Sequence, residues 1–517
     1  MTRNILWKLD CHILPPLALL WLANFIDRSN VGNARIAGLE SDIHLHGNQF
    51  NTTLAVFYIT YILVELPSNW VLKRMKANRW LPFLVFVWGI VTTLTALVQN
   101  LGGLVGIRMC LGICEGGLLP GIVLYLSTMY KRHELQLRIG IFYASASLSG
   151  AFGGLLATAI IKMDGIGNLV GWRWIFILEG IATIIFSIIA AIFLPADVSS
   201  ASFLSEEERD FALSRLHSDD FVVNMTSKSD PMPEASALHE PKVDMITVEK
   251  VQISARSRME REEEIFEWRE VIRGLTDIQT WLTAIAYLGF DVSLYSYSLF
   301  LPSIVAQLGY SGGRAQLHTV PPYVPATVLT VVVAFLSDRL KWRGPFILIF
   351  LPVAIIGYTV AITAKTNMGR YAAVFLIAAG VYISIGLEPV CLLMSQCYSY
   401  PSGPCLLSIL PNNSSGHYKR ATTTALQLAL ANTGGFIATF SYTQDQAPRY
   451  IRGHAINLAC LVLAWFFIGA NVCYCLWENK ARREGRRAEN IRKYKELWDE
   501  GTRAPIGDRH PDFRFTL

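Results

Sequence analysis

Apolar residues in this chain come in long runs broken by short polar stretches. An α-helix needs about 20 residues to cross the hydrocarbon core of a bilayer. About twelve runs approach that length: 12–35, 50–72, 81–99, 103–128, 137–161 and 172–194, then 279–301, 318–337, 345–364, 371–395, 421–443 and 454–477. A polar stretch separates the first six from the second six, and the chain from Glu478 onward is charged. The pattern predicts an all-α membrane protein of twelve transmembrane helices in two six-helix halves. Residues 1–194 form the N-terminal half, 195–277 a cytoplasmic linker, 278–477 the C-terminal half and 478–517 a cytoplasmic tail.

Lysine and arginine decide the orientation, because cytoplasmic loops carry them in excess. Lys73, Arg74, Lys76 and Arg79 follow the second run, Lys131 and Arg132 the fourth, Arg339, Lys341 and Arg343 the eighth, and Lys419 and Arg420 the tenth. The tail adds Arg482, Arg483, Arg486 and Arg487. Both termini are therefore expected in the cytoplasm. The halves resemble repeats: Ser337-Asp338-Arg339-Leu340-Lys341 follows the eighth run as Leu72-Lys73-Arg74-Met75-Lys76 follows the second. The linker is densest in charge at Glu260-Arg261-Glu262-Glu263-Glu264 and reads as a solvated connector rather than a surface helix.

Composition agrees with a bilayer as solvent. Hydrophobic residues make up 52% of the 517 and charged residues 16%, where a soluble chain carries about a quarter charged. The net charge of +5 is spread over short loops, which gives no nucleic-acid signal. Nine cysteines show no metal or disulfide spacing, and Cys110 and Cys114 read as small buried hydrophobes. The first run contains Asp27 and Arg28 and lacks a small-residue cleavage site, so it is expected to be a retained span. A glycosylation sequon at Asn51 lies close to a span, and those at Asn412 and Asn413 fall on the cytoplasmic side. The dipeptide Gly-Lys occurs nowhere, so there is no phosphate-binding loop to power a pump. No enzyme activity and no cofactor or metal are expected, and channel-type rings of filter residues are not evident.

An ionisable residue inside a span costs about 2.5–3.5 kcal/mol on insertion scales and is a functional candidate by default. The first span carries Asp27 and Arg28; the fourth carries Arg108 and Glu115, which share a helix face about 10 Å apart. Gly112, Gly116, Gly117 and Gly121 beside them allow close helix contact. An arginine grips a carboxylate through two parallel hydrogen bonds. An acid in a low-dielectric cavity picks up a proton near neutral pH. An arginine freed by protonation of its partner can then bind an anion. The alternative is that the four residues neutralise one another and brace the bundle. Glu65 and Glu179 read as structural, Asp291 as cavity-lining or helix-capping. Asn432, with Thr433, serves a substrate or another helix. Tyr295, Tyr297 and Tyr323 read first as helix packing and second as a cavity wall.

Several motifs together resemble one family. These are Asp27-Arg28-Ser29-Asn30-Val31-Gly32-Asn33-Ala34, Leu66-Pro67-Ser68-Asn69, Gly171-Trp172-Arg173-Trp174-Ile175-Phe176, Asn412-Asn413-Ser414, Gly416-His417-Tyr418-Lys419-Arg420 and Ala447-Pro448-Arg449-Tyr450. They resemble the anion:cation symporters of the major facilitator superfamily, nearest the fungal allantoate permease branch. The resemblance runs from about Leu6 to Glu478. It implies the major facilitator fold and symport of a small organic anion, a carboxylate such as allantoate, ureidosuccinate, nicotinate, pantothenate or biotin, with protons. By that resemblance Asp27 and Glu115 carry the proton, and Arg28 and Arg108 serve substrate binding and coupling; Asn432, from its mid-span place in the eleventh run, is a further substrate-binding candidate. Asp338 and Arg339 gate the cytoplasmic side. A single copy in the plasma membrane is the expected working unit, with the lipid bilayer as its surroundings. Two departures stand out: Lys73 occupies a place that is acidic in the wider superfamily pattern, and extra sequence from Glu388 to Leu410 follows the tenth span. Export of a fungal secondary metabolite and non-transporting nutrient sensing are the rival readings.

Overall fold

The computed structural model describes residues 2–130, 134, 138, 149, 152–215, 267–310, 312–340, 343–385, 413–414, 417–502 and 506–515. Every regular element among them is helical. In chain order the long helices are α1 (Thr2–Ala34), α2 (Gln49–Arg74), α3 (Ala77–Leu94), α4 (Leu101–Glu115), α5 (Leu118–Met129), α6 (Phe152–Met163) and α7 (Gly171–Phe193). After a short helix α8 (206–215) come α9 (Trp268–Thr276), α10 (Ile278–Ala306), α11 (Gly312–Leu340), α12 (Arg343–Thr363), α13 (Asn367–Ile385), α14 (His417–Ser441), α15 (Ile451–Arg483) and α16 (Glu489–Asp499). Among the described residues, six helical stretches are long and apolar enough to cross a membrane: Thr2–Asp42, Ala77–Leu97, Leu101–Val123, Gly171–Phe193, Ile278–Ala306 and Ile451–Arg483. The chain is thus an all-α, multi-spanning membrane protein.

The helices follow the apolar runs, with instructive differences. The first begins at Thr2 rather than near residue 12. Ile5 and Leu9, one turn apart, are fully buried, and Lys8 on the polar side bonds Glu208 of α8 at 2.7 Å. The fourth run is not one continuous helix but breaks at Gly116-Gly117, between α4 and α5. The break sits where α2 presses in. A Cβ on Gly112 would lie 2.1 Å from Thr60 Oγ1, and one on Gly117 1.8 Å from Ser68 Oγ. Only glycine admits this approach. The fifth run is described from Phe152 onward as α6. The inserted segment Glu388–Leu410, the linker's Glu260–Glu264 cluster and Asn412 lie outside the described residues.

Among the described residues two large hydrophobic cores hold the bundle, with a small third one at Ala157, Ile160 and Ile175. One gathers Leu17, Trp21, Phe57, Trp88, Tyr125 and Phe176 from the earlier helices and reaches Phe300 and Tyr442 from the later ones. The other gathers Phe290, Leu351, Tyr358, Ile377 and Leu461. Large apolar side chains such as Ile192, Ile349 and Phe466 point outward on the helix surfaces, an arrangement suited to lipid rather than water.

The earlier and later helices meet at the end of the bundle remote from the chain termini. A Cβ on Gly32 of α1 would lie 2.3 Å from the Leu299 carbonyl oxygen of α10, so the two backbones touch. Asn51 of α2 donates its side-chain amide to the carbonyls of Thr439 on α14 and of Tyr442 just beyond its end (3.1 Å to the latter). Gln316 of α11 donates to the Asn33 carbonyl at 3.4 Å. Asn51 is fully buried and its amide nitrogen is occupied, so the sequon there offers no acceptor for a glycan in this conformation.

At the opposite end the charged tail folds back instead of trailing free. Lys419, at the start of α14 and 2% exposed, places its Nζ 2.7 Å from Asp508 Oδ2 and also bonds Asp277, the cap of α10. Arg273 of α9 pairs with the same Asp508 and with Glu270. Arg482 donates to the carbonyls of Asp508 and His510, each at 2.9 Å, and Asn479 exchanges two bonds with the Phe515 backbone. Removing one member of a buried ion pair strands the others. Lys419→Ala should therefore cost about 3 kcal/mol and lower Tm in detergent by several degrees. A melt within a degree of wild type would show that the clasp carries no stability.

Candidate functional site

Three apolar helices bring their ionisable residues to one place midway along the bundle. Asp27 and Arg28 come from α1, Arg108 and Glu115 from α4, and Glu179 from α7, all at most 9% exposed. The sequence grouped the first four; the structure adds the fifth. Burying a charge is costly unless a partner compensates it, and each acid has a dedicated donor. Trp88 Nε1 of α3 donates to Asp27 Oδ2 at 3.0 Å. Asn24 Nδ2, one turn before Arg28, donates to Glu115 Oε2 at 2.8 Å. Asn30 Nδ2 donates to Glu179 Oε2 at 3.1 Å and is itself held by Asn33.

The two arginines are in different states. Arg28 Nη2 lies 3.7 Å from Glu115 Oε2, a contact of charge but not a hydrogen bond. Its guanidinium sits among four aromatic rings, Phe25, Phe57, Tyr61 and Tyr295, at 5.2–5.8 Å from their centroids, and cation–π attraction offsets part of its desolvation. Arg108 is 4% exposed and faces Asp27, Glu115 and Glu179, yet it makes no hydrogen bond and no ion pair with them. Its Nε and Nη2 are buried without a partner. A guanidinium has five donors in a planar fork, so this one has two buried donors set for an acceptor that no described residue supplies.

A second polar group lies alongside. Asn432 of α14 donates to Glu65 Oε2 of α2 at 3.2 Å and accepts from Tyr295 OH at 3.3 Å. Asn432 therefore binds other helices here, and Glu65 is drawn into a contact between the earlier and later helices. Asp291 of α10 is 4% exposed and faces Arg28. Tyr295 belongs to the charged centre, whereas Tyr297 and Tyr323 pack edge-to-face in the second core. The side chains of Asp338 and Arg339, at the end of α11, lie outside the described residues.

Glu179 reads as structural in the sequence from its place after Trp172-Arg173-Trp174 at the outer end of the sixth run. In the structure Arg173 is taken by Asp42 at 2.8 Å, which leaves Glu179 facing the centre. Asn24, Asn30, Asn33 and Trp88 were not singled out. The three asparagines stand on either side of Asp27-Arg28 in an otherwise apolar run, and that clustering is the signal that marks them.

The sequence profile of the Major Facilitator Superfamily matches residues 17–439. The chain belongs to that superfamily. Among relatives of this facilitator, an uncharacterized transporter of Schizosaccharomyces pombe is 34% identical over 515 residues, covering 100% of this chain and 90% of the relative. The high-affinity nicotinic acid transporter of Saccharomyces cerevisiae is 28% identical, covering 100% of this chain and 85% of its own. Among solved structures, an inward-facing bacterial homolog of the human lysosomal transporter Spinster superposes with a TM-score of 0.59 at 16% identity, covering 89% of this chain and 96% of that one. The facilitator is a secondary active transporter and not an enzyme.

Trp88→Phe keeps an apolar aromatic ring in this facilitator but is smaller and strips the indole donor from Asp27. It should destabilise the fold by about 1–3 kcal/mol, the usual cost of a buried acceptor left unsatisfied. Thermal unfolding of the purified protein measures it; an unchanged Tm would mean that water replaces the indole.

Proposed function

We propose that this facilitator is a proton-coupled symporter of a small organic anion, a carboxylate, working as a single copy by alternating access. In this reading the twelve spans form two six-helix halves that rock about the buried charges. Both termini face the cytoplasm in the plasma membrane. The far-end contacts through Gly32, Asn51 and Gln316 are then the extracellular seal. The observation that carries the reading is Arg108, buried among carboxylates with Nε and Nη2 unbonded. A substrate carboxylate supplies the two oxygens that such a fork accepts.

Asp27 and Glu115 face one another. Two carboxyls in one dry site cannot both stay ionised without cost, so they share a proton. Protonation there loosens Glu115's hold on Arg28 and frees the second guanidinium for the anion. Arg28, Arg108 and Asn432 then face the cargo, and Asp338 and Arg339 latch the cytoplasmic side. The relative named for nicotinic acid supports a carboxylate as cargo.

Uptake of a labelled carboxylate panel into yeast at external pH of about 5 and about 7 brackets the range where buried carboxyls titrate. Acid-stimulated uptake of at least one member is expected. Arg108→Ala should abolish it while the protein still reaches the membrane, and Glu115→Gln should remove the acid stimulation. Undiminished uptake by Arg108→Ala at normal surface expression would refute the anion site. Silence across the panel from a well-inserted protein would favour export.

A further inference from the structure

The centre holds more acid than its arginines can balance. Asp27, Glu115 and Glu179 stand against Arg28 and Arg108. Arg28 is engaged by Glu115 at 3.7 Å and faced by Asp291. That leaves Asp27 and Glu179 to Arg108, one carboxylate too many for one guanidinium. An uncompensated carboxylate in a dry site costs several kcal/mol, and a proton removes that cost.

Geometry distinguishes Glu179 from the other two acids. Its Oε2 is tied to Asn30, while its Oε1 is buried with no partner at all. The charged groups facing it are Asp27 on α1 and Arg108 and Glu115 on α4. The helix α3, which packs along α7, carries only Arg79 among charged residues, and that residue lies in its first turn. Among the described residues, Arg108 is the cation that faces Glu179 and can serve as its counter-ion when it is ionised.

We propose that Glu179 is a further proton-bearing residue of the transport cycle, and that it competes with the substrate carboxylate for Arg108. This rests on the symport reading given above. Ionised, Glu179 is the resident counter-ion that holds Arg108. When a proton adds to Oε1, the charge on Glu179 is lost, Oε2 keeps its bond from Asn30, and Arg108 is released to the incoming anion. One proton and one monovalent anion enter together, so this exchange leaves the charge of the site unchanged. When the anion departs, Oε1 gives up its proton and Arg108 regains its own carboxylate.

The test compares wild type, Glu179→Gln and Glu179→Asp. In wild type the KM for the carboxylate that the uptake panel identifies should rise with pH, by up to about tenfold per pH unit for one linked proton. Glu179→Gln mimics the protonated residue, so its KM at pH of about 7 should match wild type at about 5, with a flattened profile. Glu179→Asp keeps an acid and should restore the slope. A Glu179→Gln profile parallel to wild type overturns the proposal. So does loss of uptake in both variants at normal surface expression, which marks a merely structural residue. If wild type itself takes up no carboxylate, the symport reading fails, and the melting of the purified, ligand-free proteins decides the matter for Glu179. A proton held by the native site and released on unfolding makes Tm fall as pH rises. Wild type should show a steeper fall than Glu179→Gln between pH of about 5 and about 7, and equal slopes overturn the proposal.

Discussion

An arginine without a partner, buried among acids it does not touch, is the constraint around which this molecule is arranged. Arg108 sits buried in the middle of a bundle whose outer faces are apolar. Much of the nearby architecture keeps that unsatisfied charge tolerable without neutralising it. Trp88 and the asparagines 24 and 30 occupy the acids that would otherwise collapse onto the guanidinium. The glycine seam lets α2 lie against α4, which brings the rings of Phe57 and Tyr61 to Arg28.

The centre also links the earlier and later helices. Tyr295 touches Arg28 on one side and Asn432 on the other, and Asn432 reaches on to Glu65. A change in the charge beside Arg28, such as protonation of Glu115, is therefore felt by α10, α14 and α2 through direct contacts. Far from the centre, the tail clasp binds α9, α10, α14 and α15 into one block. Stiff blocks joined by a polar centre suit a machine that moves by rotating parts rather than by melting them.

Most helices were legible because membrane spans announce themselves as uninterrupted apolar runs, and charges within those runs announce the site. What escaped was tertiary in origin. The break after Glu115 depends on Ser68 and Tyr61 of a different helix. The early start of α1 depends on a groove that accepts Ile5 and Leu9. The place of Glu179 at the centre is also tertiary: the Arg173 of its own helix goes to Asp42, and Glu179 faces Asp27 and Arg108. The folded-back tail depends on Lys419 and Arg482 finding Asp508 across long separations in the chain.

The far-end contacts have an evolutionary corollary. Asn51 and Gln316 both donate to backbone carbonyls, those of Thr439, Tyr442 and Asn33. A carbonyl oxygen is present whatever side chain its residue carries. The accepting positions are therefore free to drift so far as these bonds are concerned, while the two donors are not. Mutational tolerance along this seam should be lopsided, with the burden of keeping the bonds falling on two amide side chains.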